Sequence, residues 1–565
     1  MNFKGLFTIP LLALLVTGCA NNANNQSSGD KILVHVLNAE DYIDVSLLDT
    51  FSEMVSEKDG KNVQIVYDTY DTNETMYNTI KTGKTSYDLI CASDYMVQRL
   101  AREKAITRFD YDLLPNYSTY ASEFLYSRKD DSGKLNNALI NTDEGTYKLS
   151  EYFVGYMWGT LGVVYNPNFI LNKNRSIIEN DDRFKGMDDD QIKEKIIELF
   201  NSDDGYSLFR DDILTGTQSI KDSMRDTYAL GIFEVFKDYF LTTSDDYEAR
   251  DNHFNLCDDE TINLVKDKLI ELKGNIFGFE VDSGKNDIVT EKIGVNLAWS
   301  GDAVNSINRG YYADDDWTIP SENPVDLYYA IPSIGANVWS DGWCMPTHDD
   351  SYYQSDEYKY AMEFLDFLSN PENAVLNESY NGYTSYIGAN DKTDDETSKI
   401  MLSYILYSYD LSDGDEDEDL SQYDVYDITP FFDFEEEVTI DTTYVSETIF
   451  EDEGEDIDSR TFTFKKDENG KVRILIHTDL SSLEGRTLKA QFPQESDVDR
   501  LYMMRDFESQ NSKILQMWED VKVNPLPTWV VVSLVTFVVL VLGYLGSYRI
   551  IRHIKLKRRK ELRKN

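Results

Sequence analysis

Ile32-Leu33-Val34-His35-Val36-Leu37, Val63-Gln64-Ile65-Val66-Tyr67 and Asp88-Leu89-Ile90-Cys91 are three apolar runs near the start of the chain. Each is short and mostly β-branched or aliphatic, and reads as a buried strand. Between the first two, Leu47, Leu48, Phe51 and Val55 stand at helical spacing, with Asp44 as a candidate cap. Asn73 to Tyr77 opens a second helix, and Ser93 or Asp94 caps a third over Tyr95 to Lys104. Strand and helix alternate, which predicts an α/β fold with a parallel sheet and right-handed crossovers. Ligands of such sheets bind beyond the carboxyl ends of the strands, here Asn38 to Tyr42 and Ser93 to Tyr95.

Further along, Trp158 to Asn166 reads as another strand. Asn168 to Thr217 is polar and helix-like and reads as an insertion. Lys221 to Thr227 opens a helix over Tyr228 to Tyr239, and residues 355–380 are helical. Within Val295 to Pro346 one phrase occurs twice, as Leu297-Ala298-Trp299-Ser300-Gly301-Asp302 and as Val338-Trp339-Ser340-Asp341-Gly342. Each copy follows an apolar strand-like run and reads as a turn, setting an indole and a carboxylate at a strand end. Two readings follow: core tryptophans beside surface aspartates, or half of a pocket for an organic polycation. An indole face attracts a desolvated cation by roughly 2 kcal/mol. Ser412 to Asp419 is a solvated acidic run lacking the residue order of a calcium loop. Val438 to His477 alternates as a β insertion around the turn Asp467-Glu468-Asn469-Gly470, and Leu488 to Val523 returns to helix.

The whole chain of 565 residues holds 103 Asp+Glu against 54 Lys+Arg, a formal net charge of −49, which disfavours nucleic-acid binding. At the amino end, Lys4 and the apolar run Leu6 to Val16 read as a signal peptide. Val16-Thr17-Gly18-Cys19 resembles a bacterial lipobox, which implies a lipidated Cys19. Cys91, Cys257 and Cys344 show no metal-ligand or disulfide spacing. At the carboxyl end, Trp529 to Tyr548 is twenty residues without a charge, long enough for a transmembrane helix. The basic stretch after it predicts a cytoplasmic tail, with the bulk of the chain extracytoplasmic on a bacterial cell membrane.

Tyr67 to Tyr77, Tyr87 to Val97, Lys221 to Thr227 and Trp299 to Ala303 together resemble the spermidine/putrescine-binding proteins of bacterial ABC transporters. The resemblance implies a two-lobed periplasmic-binding-protein fold of type II, with a polyamine clamped between the lobes. Its ligand residues fall on Tyr42, Ser93, Tyr95, Ser223, Asp226, Trp299, Trp339, Asp341 and Tyr383. Two positions depart from the family pattern: Ala39 stands where an aromatic wall is usual, and no glutamine matches near Met504. The expected organisation is signal peptide 1–18, linker 19–30, lobe 1 over 31–155 and 340–388, and lobe 2 over 156–339 and 389–522. Insertions fall at about 168–217 and 410–485, the transmembrane helix at 528–548 and the tail at 549–565.

The functional expectation is the substrate-binding subunit of a polyamine importer, working with ABC permease and ATPase subunits. Asp341 and Asp226 would take ammonium groups between aromatic walls. A membrane-anchored ligand-sensing receptor is the alternative; the short tail favours the importer. No cofactor, metal or catalytic residue is expected, because none of the five histidines lies beside a nucleophile and no phosphate loop occurs.

Overall fold

A computed structural model describes residues 31–562, except 84–85, 123–138, 143–144, 244–245, 281–282, 315–316, 318, 394, 415–417, 433, 453, 455–456 and 524–527. The expected signal peptide, the linker, Cys19 and part of the acidic run lie outside the described residues. The first unit is β1 (Ile32–Ala39), α1 (Ser46–Asp59), β2 (Val63–Tyr70), α2 (Asn73–Thr82), β3 (Leu89–Ser93) and α3 (Asp94–Arg102). β1 pairs parallel with both β2 and β3, as the strand–helix alternation predicts. Asp44 accepts from the Ser46 amide at 2.9 Å, although Val45 holds the cap position. Thr72 caps α2 through the Thr75 amide.

Two long strands, β4 (Val154–Tyr165) and later β8 (Ala336–Pro346), connect this unit to a second parallel set. That set comprises β5 (Gln218–Lys221), followed by α4 (Met224–Val235), then β6 (Gly278–Glu280) and β7 (Val295–Trp299), which leads into α5 (Ser300–Tyr311). The sheet order is β2-β1-β3-β8-β4-β7-β5-β6. β8 runs antiparallel to β3 and β4, and β4 antiparallel to β7, so the two parallel sets meet across the long pair. One apolar core surrounds β1–β3 and includes Ile400 to Phe492 of the later chain; the other surrounds β5 and α4.

β8 corrects one sequence reading. Val338 to Gly342 is not a turn at a strand end: it lies inside β8, hydrogen-bonded to β3 on one side and β4 on the other. The register shifts between Asp341 and Gly342, where a Cβ on Gly342 would meet the Phe153 ring at 2.6 Å. A bulge of this kind re-aims side chains while keeping the strand paired. The β insertion also differs from the expectation. Val438–Asp441 pairs with Thr461–Phe464, and Leu475–Thr478 pairs instead with Asp424–Asp427.

After α6 (Pro371–Asn381) and α7 (Asn511–Lys522), the chain ends in α8, Thr528–Leu562. Among the described residues no helix is long and apolar enough to cross a membrane, so the transmembrane span expected at 528–548 is not shown. Several side chains in the first half of α8 are outside the described set, and its second half is basic from Arg549 onward.

Candidate functional site

A cavity of about 330 Å³ opens where the carboxyl ends of β1, β2, β3, β5 and β7 converge. All nine residues carried over from the family pattern line it. The topology explains the convergence. Tyr42 follows β1, Ser93 ends β3, Tyr95 lies in the first turn of α3, Ser223 and Asp226 begin α4, and Trp299 ends β7. Trp339 and Asp341 are two residues apart in β8, so they share one face, while Ser340 between them is buried on the other. Tyr383 follows Gly382, which ends α6 in the left-handed conformation (φ 75°).

One pole of the cavity is built around Asp341. The Tyr42 hydroxyl donates to its Oδ2 at 2.9 Å, and Oδ1 is buried without a hydrogen-bond partner, as is Nε1 of Trp339. The Tyr383 ring stands edge-on to Tyr42 at 5.2 Å and to Trp339 at 5.4 Å. Burial pushes the Asp341 carboxyl up to about 6, against the hydrogen bonds that favour its charge; the nearby charge of Asp226 adds to the rise. Burial also raises Asp226, opposed by Ser223, Lys221 and the Trp299 indole, which donates to its Oδ2 at 3.1 Å. Ser223 caps α4 by accepting the Asp226 amide, which fixes the position of that carboxylate. Ser93 is held by Asn73, whose Nδ2 donates to its hydroxyl at 2.9 Å.

Several lining residues were not selected from sequence. Lys221 sits with its Nζ 2.8 Å from Asp302 Oδ2 and 4.4 Å from the centre of the Trp299 ring. Burial raises the Asp302 carboxyl, but Lys221 and Lys285 outweigh it and hold the group low. Arg225 stacks on the Tyr95 ring at 3.6 Å and donates to the carbonyls of Met504 and Arg505. Glu74 accepts from the Tyr95 hydroxyl at 3.2 Å. Asp94 is buried, with its carboxyl pushed up to about 7 by burial, and accepts from the Ser340 amide. Ala39 and Met504, the two departures from the family pattern, both line the cavity. Asp302 and Arg225 lie within or beside the quoted family phrases, a signal that could have found them.

The sequence profile of the bacterial extracellular solute-binding proteins matches residues 48–400. The chain belongs to this family. The family consists of solute-binding proteins rather than enzymes, and it places the binding domain outside the cytoplasm. Within this solute-binding family, the chain is 22% identical over 365 residues to a putrescine-binding periplasmic protein of Pseudomonas aeruginosa, covering 64% of this chain and 80% of that one. It is 21% identical over 344 residues to a spermidine/putrescine-binding periplasmic protein of Escherichia coli, covering 61% and 74%. A solved spermidine/putrescine substrate-binding protein of Streptococcus pneumoniae is 22% identical, with 66% of this chain and 89% of that one covered and a TM-score of 0.42.

Proposed function

We propose that the protein binds a small polyamine, putrescine or spermidine, and delivers it to an ABC permease and ATPase. The observation that carries this reading is the cavity wall: ten acidic side chains against four basic ones, with Asp341 offering a buried carboxyl that, among the described residues, no basic side chain pairs. Isolated buried carboxylates are costly, so a donor there is favourable. An ammonium at Asp341 would gain a charge-assisted hydrogen bond of about 1.5–3 kcal/mol and lie against Trp339 and Tyr383. A micromolar dissociation constant requires about 8 kcal/mol, within reach of two such contacts plus aromatic burial. Movement of the two parallel sets about β4 and β8 would open and close the cavity, a hinge of the kind known in two-lobed binding proteins. Titration calorimetry with putrescine and spermidine tests the reading. Heat with a micromolar constant is expected from at least one of them; none from either at millimolar concentration would overturn it.

The same proposal places a lipid on Cys19, α8 across the cell membrane and the basic tail in the cytoplasm. Its support is the sequence: twenty uncharged residues from Trp529 to Tyr548, then nine Lys/Arg. A fatty-acid probe should label the wild type in cells and leave Cys19→Ala unlabelled. One observation favours the receptor alternative: α7 lines the cavity through Trp518 and Lys522 and stands next before α8 in the chain. Cells lacking the gene decide between them. Lost polyamine uptake supports the importer, and normal uptake supports the receptor.

A further inference from the structure

We propose that Lys221 is a resident ammonium filling one of two cation poles in the cavity, so that the site takes a short diammonium ligand and rejects a triammonium one. This rests on the polyamine reading above. The two poles are built from the same parts. At one, Asp341 has an indole, Trp339, two residues away on the same strand face. One of its oxygens is taken by the Tyr42 phenol, the Ser93 hydroxyl also supports its charge, and among the described residues no basic side chain pairs with it. At the other, Asp302 follows the indole of Trp299, and one of its oxygens is taken by the Tyr383 phenol at 3.0 Å. Its second oxygen is already bonded to the Lys221 ammonium, which also stands over the Trp299 ring and 3.8 Å from Glu280. Lys221 is 1% exposed. A buried lysine paired in this way does not leave its partners readily, since each would be stranded without a counter-charge.

The charge pattern then limits the ligand. One ammonium fits Asp341, and a second fits Asp226, the carboxylate whose charge is felt at Asp341 and which accepts from the Trp299 indole. A third, extended past Trp299 to Asp302, would meet Lys221 and also Lys285, whose Nζ is 3.7 Å from Asp302. It would find like charges on a carboxylate already shared.

Calorimetry on the full chain, with putrescine and spermidine as probes, tests this. The wild type should bind putrescine at least tenfold more tightly than spermidine. Lys221→Ala should shift that ratio at least tenfold toward spermidine, whose extra ammonium replaces the missing one. Lys221→Ala/Asp302→Asn, which frees the same space without a carboxylate, should shift it less than threefold. Equal wild-type affinities, an unchanged ratio in the single variant, or an equal gain in the double variant would overturn the proposal. Should Lys221→Ala fail to fold, Lys221→Gln, which keeps a hydrogen-bond donor beside Asp302 without the charge, takes its place with the same expected direction. Absence of heat with either probe would instead overturn the polyamine reading, and this proposal with it.

Discussion

Asp341 is held between two protonation states. Burial raises its carboxyl to about 6, while the Ser93 and Tyr42 hydroxyls support the charged form. An ammonium ligand needs the carboxylate, so polyamine affinity should be about tenfold lower at pH 5 than at pH 7.5. Asp341→Asn should weaken binding at least tenfold at pH 7.5 and flatten that pH dependence. The thermal midpoint of the empty protein should stay level or rise, because the variant no longer buries a charge. Calorimetry at the two pH values checks this; a variant with wild-type affinity would remove Asp341 from the ligand set. At this scale the sequence is readable where the signal is local. The resemblance marked Ser93, Tyr95, Trp339 and Asp341 through short local phrases; the strand geometry that sets Trp339 and Asp341 on one face was hidden, because that stretch reads as a turn. Lys221 and Asp302 both lie in phrases that resemble the family, but their pairing was not readable, because they are 81 residues apart and nothing near either position marks a buried ion pair.

Among the elements, β4 and β8 carry the arrangement. The parallel units were legible from apolar spacing, since each strand there pairs with neighbours brought by its own crossover helix. β8 was not: its Trp-Ser-Asp-Gly composition reads as a turn, and pairing with β3 and β4 overrides that local preference. β4 was legible as a strand, but the role of its glycines was not. A Cβ at Gly159 would lie 2.4 Å from Ser300 Oγ and 2.7 Å from the Trp339 ring. Bare backbone at that point is what lets the indole reach the cavity. Gly159→Ala should therefore displace Trp339, weakening polyamine binding at least tenfold and costing about 1–3 kcal/mol of stability through overpacking. Urea unfolding and calorimetry measure the two effects. Unchanged values in both would mean that Trp339 does not depend on this contact.

Across the whole molecule, several buried carboxyls lean toward the protonated form. Burial pushes Asp94 up to about 7 and Glu378 up to about 8. Glu378 is 1% exposed, with Gln491 donating to one oxygen and the Ser385 amide to the other. A carboxyl whose folded pKa exceeds its unfolded one binds more protons in the fold, so it stabilises at low pH and loses that contribution as pH rises through the folded value. Burial lowers the pKa of His253 and His348, which act in the opposite direction but only below about 6.5. Between pH 6.5 and 8 the carboxyls are left to dominate, and the empty protein should melt at a higher temperature at pH 6.5. General repulsion from the net charge of −49 has the same sign, but salt screens it, whereas the desolvation of a buried carboxylate persists. The difference should therefore survive about 0.5 M salt, where the Debye length falls to roughly 4 Å, and shrink in Glu378→Gln. Differential scanning fluorimetry at the two pH values is sufficient. A midpoint that stays level or rises with pH would mean that Glu378 and Asp94 are ionised in the folded chain.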